Sequence, residues 1–273
     1  MAVNYAEKFS DRVDEAFFLN SLSEGTVNRD FEFTGVETVK VFSIPTTAMT
    51  DYTTSGSNRY GTPAELENAV QTMTLTQDRS FTFTIDRKSV DDTMGTMAAG
   101  EALARQLRLE VIPEIDIYRF GAQCAAAGTI SSPLAIDATN AYSAFLSGTA
   151  TVGNLKAPIQ GRVCVCGYTY YNALKLDNKF VKQSDLSQQI ALTGQIGMVD
   201  GIPIILVPDS YLPENVAFFI TNALATTSPI KLSDYKIHDN PPGINGFLVE
   251  GRVRYDAFVL DNKANAIYVH MVA

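Results

Sequence analysis

Acid–base, metal or nucleophilic chemistry would have to come from very few residues in this sequence. The histidines are His238 and His270, and the cysteines are Cys124, Cys164 and Cys166. A zinc site of the Cys/His kind needs about four such donors at one point, and only Cys164 and Cys166 stand close together. They form a C-x-C within Arg162-Val-Cys-Val-Cys-Gly167, which reads as a strand, so both side chains face the same way. Buried reduced thiols are expected there, because free cysteine behaves as a small hydrophobe, and that fits a reducing compartment. Carboxylate pairs occur at Asp91/Asp92 and Glu114/Asp116. The first reads as a helix cap. The second reads as a solvated or intersubunit face, since no second polar cluster that could hold a substrate flanks it. His238 lies in Tyr235-Lys-Ile-His-Asp-Asn-Pro-Pro-Gly243, a predicted turn, and His270 lies in the last predicted strand. Both read as packed or surface residues.

No G-x-S-x-G elbow, phosphate loop, dinucleotide fingerprint or H-E-x-x-H pair is present. No catalytic, cofactor-binding or metal-ligating residue is therefore assigned, no cofactor is expected, and the chain reads as a non-enzyme. Charge points the same way. The 273 residues carry 21 Lys plus Arg against 30 Asp plus Glu, a formal net charge of −9. Proteins that grip nucleic acid show the opposite balance, because each phosphate contact needs a cation. Charged residues are only 19%, below the ~25% of an ordinary soluble domain, which suggests surface committed to other chains. The N-terminal segment has no apolar core, and no run approaches 18 apolar residues, so neither a secretion signal nor a membrane span is expected.

Elements follow from periodicity. Phe9, Val13, Phe17, Phe18 and Leu22 predict a short amphipathic helix that packs on the body or on a neighbouring subunit. From Phe31 to Asp86 the period changes to two, with Val39 and Val41, Met73 and Leu75, and Phe81, Phe83 and Ile85 alternating with polar residues, many of them threonine. The polar, glycine-bearing stretch Thr50–Pro63 between these runs predicts a long hairpin with an elaborate tip. A two-stranded ribbon is marginal in water, so the hairpin is expected to lie on another surface, most simply a second copy of the chain. Leu103, Leu107, Val111 and Ile115 form an i, i+4 ladder in a long helix over 93–127, and Pro113, which cannot donate to Leu109, predicts a kink. A second helix is expected near Asp137–Leu146, then a strand at Arg162–Cys166, helices at Tyr170–Leu176 and Asp185–Leu192, and a strand between Pro203 and Pro208 not fully paired at the sheet centre. Strands at Gly246–Leu260 and Ala266–Val272 close the chain around an Asp261–Asn265 turn.

In this order of elements the chain resembles tailed-phage major capsid proteins of the Hong Kong 97 type. The resemblance is carried by Phe81-Thr-Phe-Thr-Ile-Asp-Arg-Lys-Ser-Val-Asp-Asp-Thr93, by Glu110-Val-Ile-Pro-Glu-Ile-Asp-Ile-Tyr-Arg119, and by Gly251-Arg-Val-Arg-Tyr-Asp-Ala-Phe-Val-Leu-Asp261 with Ile267-Tyr-Val-His270. It spans nearly the whole chain. It implies an α+β fold with an N-terminal arm (1–30), an extended β-hairpin loop (31–86), a peripheral domain with a long kinked spine helix (87–136 and 246–273) and an axial domain (137–245). It also implies a structural protein that self-assembles as pentamers and hexamers into an icosahedral virion head around double-stranded DNA, contacted weakly and without sequence specificity. Assembly in the host bacterial cytoplasm and portal, scaffolding or decoration proteins as partners belong to the same expectation. The expected intersubunit contacts are Phe17 and Phe18 of the arm, Tyr52, Arg59 and Tyr60 of the tip, and Arg105, Glu110, Glu114, Asp116 and Arg119 of the spine. Some relatives cross-link through a lysine in the extended loop; Lys40, the only lysine from Phe31 to Ile85, lies in a predicted strand, so no cross-link is expected. An encapsulin-like compartment shell is the alternative within the same fold, and a carboxylate/His hydrolase is the alternative outside it.

Overall fold

The computed structural model describes residues 21–31, 38–44, 46–63, 65, 69–88, 99–183 and 197–273. Outside them lie Phe17, Phe18 and most of the predicted arm helix, Asp91, Asp92, residues 93–98 of the predicted spine, and the helix expected over Asp185–Leu192.

The threonine-rich zone pairs as a ribbon. Strands β1 (Thr38–Ser43) and β2 (Ala69–Thr74) run antiparallel, with Thr38 opposite Thr74 and Ser43 opposite Ala69. Six residues at ~3.3 Å each make a ladder of about 20 Å, shorter than the ten-residue strands the pattern suggests. The base of the ribbon buries one face on its own chain. Met73 and Leu75 pack with Leu260, flanked by Val39, Val41 and Phe258, and Gln71 Nε2 donates to the Val259 carbonyl at 2.8 Å. The expectation that the ribbon rests wholly on a foreign surface is corrected accordingly. Its outer face and tip remain uncovered, with Phe42 63% and Ile44 74% exposed.

Past Leu75 the chain leaves the ribbon. Strand β3 (Gln77–Asp86) joins a different sheet, and the spine follows as α1 (Ala99–Gln106), a π-helical turn (Leu107–Val111) and α2 (Ile112–Ala125). The π turn answers Pro113. Its missing N–H would leave an α-helical carbonyl unpaired, and the backbone widens just before it, with the Ile112 N–H reaching the Leu107 carbonyl. The predicted ladder therefore stays continuous, and Leu103, Leu107 and Ile115 are all buried.

The body is a mixed six-stranded sheet built around the spine's second half. After β4 (Thr129–Ile130), α3 (Ala141–Asn154) starts later than the pattern suggests. Asp137 and Asn140 form a hydrogen-bonded turn ahead of it, in which Asp137 Oδ1 accepts from the Thr139 and Asn140 N–H groups. Strand β5 (Arg162–Gly167), α4 (Tyr168–Leu176) and α5 (Asn178–Gln183) come next, then β6 (Met198–Val199), β7 (Ile202–Val207) and β8 (Val216–Asn222). β7 runs parallel to β5 and meets only the two-residue β6 on its other side, as its prolines suggest.

The last third returns twice. β9 (Thr226–Thr227) pairs with β12 (Phe258–Val259), while β10 (Ile230–Asp239), β11 (Gly246–Tyr255) and β3 form a three-stranded sheet with β11 in the middle. His238 thus sits in a strand opposite Leu248, not in a turn. The final β13 (Tyr268–Met271) enters the six-stranded sheet, whose order is β4-β13-β8-β5-β7-β6. Period-two alternation divides that sheet's faces. Cys164, Cys166, Phe218, Ile220 and Tyr268 meet Phe145 of α3 and Tyr170 and Leu174 of α4. Val165, Phe219 and Val269 meet Phe120 and Cys124 of α2 on the other side. Gly148 lets α3 approach this closely, since a Cβ there would lie 2.7 Å from the Tyr268 ring.

Candidate assembly surfaces

The predicted contact residues divide between buried and exposed. Asp116 and Arg119, expected on an intersubunit face, are 1% and 0% exposed within one chain. They hold residues 21–24, the described end of the segment predicted as an arm. Residues 21–28 form a strap with one 3-10 turn at Glu24–Thr26. The Asp116 carboxylate accepts from Ser21 Oγ at 2.6 Å, the Leu22 N–H at 2.8 Å and Ser23 Oγ at 2.5 Å. Arg119 Nη1 donates to Ser23 Oγ at 2.9 Å and reaches Glu24 at 3.4 Å, while its Nε donates to Ser228 Oγ at 2.8 Å. Burial lowers the Arg119 pKa, and Glu24 and Asp116 oppose that fall. One turn on, Gln123 Nε2 donates to the Thr26 carbonyl at 2.9 Å, and Asn28 is tied to Thr227 and to the Ala223 carbonyl.

The correction has a plain cause. Asp116, Arg119 and Gln123 recur at helical spacing, so they share one face of α2. Ile112 and Ile115 face the three-stranded sheet and Phe120 and Cys124 the six-stranded one. On the face that the strap covers, the charges of α2 are buried, while Glu114 and Ile117 on another face of the same helix stay exposed.

The other predicted contacts lie outside. At the ribbon tip Thr53 N donates to the Arg59 carbonyl and Thr50 Oγ1 to the Tyr60 carbonyl. Tyr52 and Tyr60 meet edge to face at 5.0 Å, with Tyr60 87% exposed. Gly61, at φ +86°, closes this tip, where a Cβ would strike Thr50. Arg105 and Glu110 line an open groove of about 500 Å³ between the spine and β3, with Phe83, Ala102 and Leu109 as its apolar lining. Glu114 is half-buried in the adjoining groove, 2.5 Å from Arg79 Nε and 3.5 Å from Tyr255 Oη. Burial, the larger cause, and the neighbouring Glu114 charge drive the Tyr255 hydroxyl pKa up.

The outer face of the three-stranded sheet is charged but paired within itself. Arg252 grips Asp78 through two bonds of 2.9 and 2.6 Å, Lys236 meets Asp234 at 2.9 Å, and His238 Nε2 lies 3.1 Å from Glu250. His270 is buried, stacks on Phe218 with centroids 5.1 Å apart and accepts or donates at 3.1 Å with Tyr268 Oη. Burial lowers its pKa. All three thiols are buried, and burial raises Cys124 and Cys166 from 9.0 to about 12. Among the described residues no helix is long and apolar enough to cross a membrane.

Sequence reasoning missed Ser23, Gln123 and Ser228 as members of this buried polar seam and Ser21 at its edge. Residues so far apart along the chain carry no common motif. The one legible signal was Asp116, Arg119 and Gln123 interrupting an otherwise apolar helix at spacings of three and four.

No protein-family model matches the sequence, and no curated protein matches it. Solved structures do match in fold. The chain is similar to one in the capsid structure of the cyanophage P-SCSP1u, with 14% identity over 93% of this chain and 88% of that one and a TM-score of 0.69. It is similar to the bacteriophage PhiM1 mature capsid, with 10% identity over 93% and 87% and a TM-score of 0.69. It is also similar to a virus-like particle from Pyrococcus furiosus, with 12% identity over 98% and 100% and a TM-score of 0.60. The fold is the α+β fold of tailed-phage capsid proteins.

Proposed function

We propose that this chain is a phage major capsid protein that assembles as pentamers and hexamers into an icosahedral head enclosing double-stranded DNA. The observation that carries the reading is the ribbon. Its base is rooted in the subunit, yet Phe42, Ile44 and Val70 on its outer face and the aromatic tip are left in solvent. Apolar surface of this kind on a projecting element marks a contact with another chain. The groove between α1 and β3 supplies a complementary surface, with an apolar lining and rims of both signs in Glu101, Arg105 and Glu110. On this reading residues 1–30 are the arm and 31–86 the extended loop. Residues 87–136 and 246–273 are then the peripheral domain and 137–245 the axial domain. Weak, nonspecific contact with DNA fits a charge of −9 and a sheet face whose cations are already paired.

Deleting Asp51–Gly61 tests the reading, because the tip is knit to itself and makes no part of the core. The expected product is a soluble, folded subunit that forms no shells under negative-stain microscopy; normal shells would overturn the assignment. A second reading, an encapsulin-like compartment, is favoured by the end-to-end match to the virus-like particle. Nucleic acid inside purified particles separates the two.

A further inference from the structure

The strap over residues 21–28 and the ribbon are anchored on the same turn of the spine. We propose that their roots are energetically coupled through a buried polar relay, so that loosening one loosens the other. On the arm side the relay begins at Ser23, whose Oγ accepts from Arg119 Nη1 at 2.9 Å. Arg119 Nε donates to Ser228 Oγ at 2.8 Å, and Ser228 Oγ donates in turn to the Asp256 carbonyl at 2.8 Å. On the ribbon side the Asp256 carboxylate closes the relay. Its Oδ2 accepts from Thr76 N–H at 2.8 Å and Thr76 Oγ1 at 2.9 Å, at the point where β2 gives way to β3. Its Oδ1 accepts from Tyr118 Oη at 2.7 Å and from the Ala257 N–H at 2.8 Å.

Ser23, Arg119, Ser228 and Asp256 are at most 2% exposed, so water cannot replace a bond lost among them. Removing one partner in such a site leaves the next unsatisfied, and the cost passes along the chain of bonds. Tyr118 and Arg119 are neighbours on α2 and point to opposite roots. Ser228 joins them: its hydroxyl links Arg119 to the Asp256 carbonyl, and its N–H donates to the Asn28 carbonyl of the strap at 3.0 Å. The coupling is a property of the single subunit and holds whichever assembly the chain forms.

Amide hydrogen exchange on the full-length subunit tests this. Ser228→Ala should speed exchange at both Leu22 and Thr76 by about fivefold each, the weight of one hydrogen bond, with the Val163–Cys166 amides of β5 unchanged. Acceleration at one root alone, at neither, or shared equally by β5 would overturn the coupling. Should Ser228→Ala fail to fold, Ser23→Ala read at Thr76 and Thr76→Val read at Leu22 carry the same test. Because coupling is reciprocal, each variant should speed exchange at the opposite root, and changes confined to the mutated root would overturn the proposal.

Discussion

The two faces of the spine's second half meet contrasting surroundings. Toward the six-stranded sheet, Phe120 and Cys124 enter an aliphatic and aromatic layer, and beyond the sheet Phe218 stands 4.4 Å from Tyr170 and stacks on His270. Toward the arm, the same helix buries Asp116, Arg119 and Gln123 among hydroxyls and carbonyls. The apolar layer is held by area, which is non-directional and tolerant of swaps of similar volume. The polar seam is held by direction. Each of its bonds contributes little net stability, but each unpaired group costs far more. The molecule thus places its stability in the body and its positional specificity where the strap and the ribbon are anchored to it.

Three substitutions or conditions would break or sharpen that contrast. The largest effect belongs to the apolar layer: Phe218→Ala should cost about 3–5 kcal/mol by urea denaturation, because four rings lose their common partner. A cost near zero would mean the layer is not close-packed. Next, Asp116→Ala should cost about 3 kcal/mol, since it strands three donors and removes one of the two carboxylates that offset the burial of Arg119. Replacing Asp116 and Arg119 together by apolar residues should cost less than Asp116→Ala alone while still freeing the strap to proteolysis. If the double variant is the worse of the two, the seam supplies stability and the contrast fails.

A third test is alkaline. Cys124 and Cys166 titrate near 9.0 when unfolded and at about 12 when folded, chiefly because burial disfavours the thiolate. Between those values the folded state holds more protons than the unfolded one. Stability is therefore full below pH 9 and falls as pH rises toward 12, by up to ~1.4 kcal/mol per pH unit for each thiol. Cys166→Ala should flatten that slope in a series of denaturation curves, and an unchanged slope would place the loss elsewhere. His270 acts in the opposite sense: its lowered pKa gives stability that is present above pH 6.5 and lost on acidification.

Much of the fold was legible because its elements carry strong local patterns. The ribbon followed from period-two alternation around Val39, Val41 and Met73, the spine from the Leu103–Ile115 ladder, and the C-x-C strand from Arg162–Gly167. Strand lengths and partners were not legible. β3 continues the same alternation as β2 yet joins another sheet, because the choice between two apolar faces is made by β11, some 160 residues later. β8 and β10 escaped notice. Val216–Asn222 is buried along nearly its whole length and so lacks alternation, and His238-Asp-Asn-Pro-Pro read as a turn although β10 runs to Asp239. Of the candidate contacts, the tip residues, Arg105 and Glu110 lie at the surface of the single chain, whereas Asp116 and Arg119 were misread as surface because charge usually implies solvent.

By itself the sequence determined many of the strands and helices, that the Cys164 and Cys166 thiols are packed, and the order of elements that carries the capsid resemblance. Those properties are set by side-chain chemistry over spans of a few residues. Only the tertiary structure decided that Asp116 receives Ser21 and Ser23, and that Ser228 and Asp256 lie between the arm and the ribbon. Whether a charge is solvated or buried depends on what packs above it, and here the covering residues come from the first thirty and the last fifty positions of the chain.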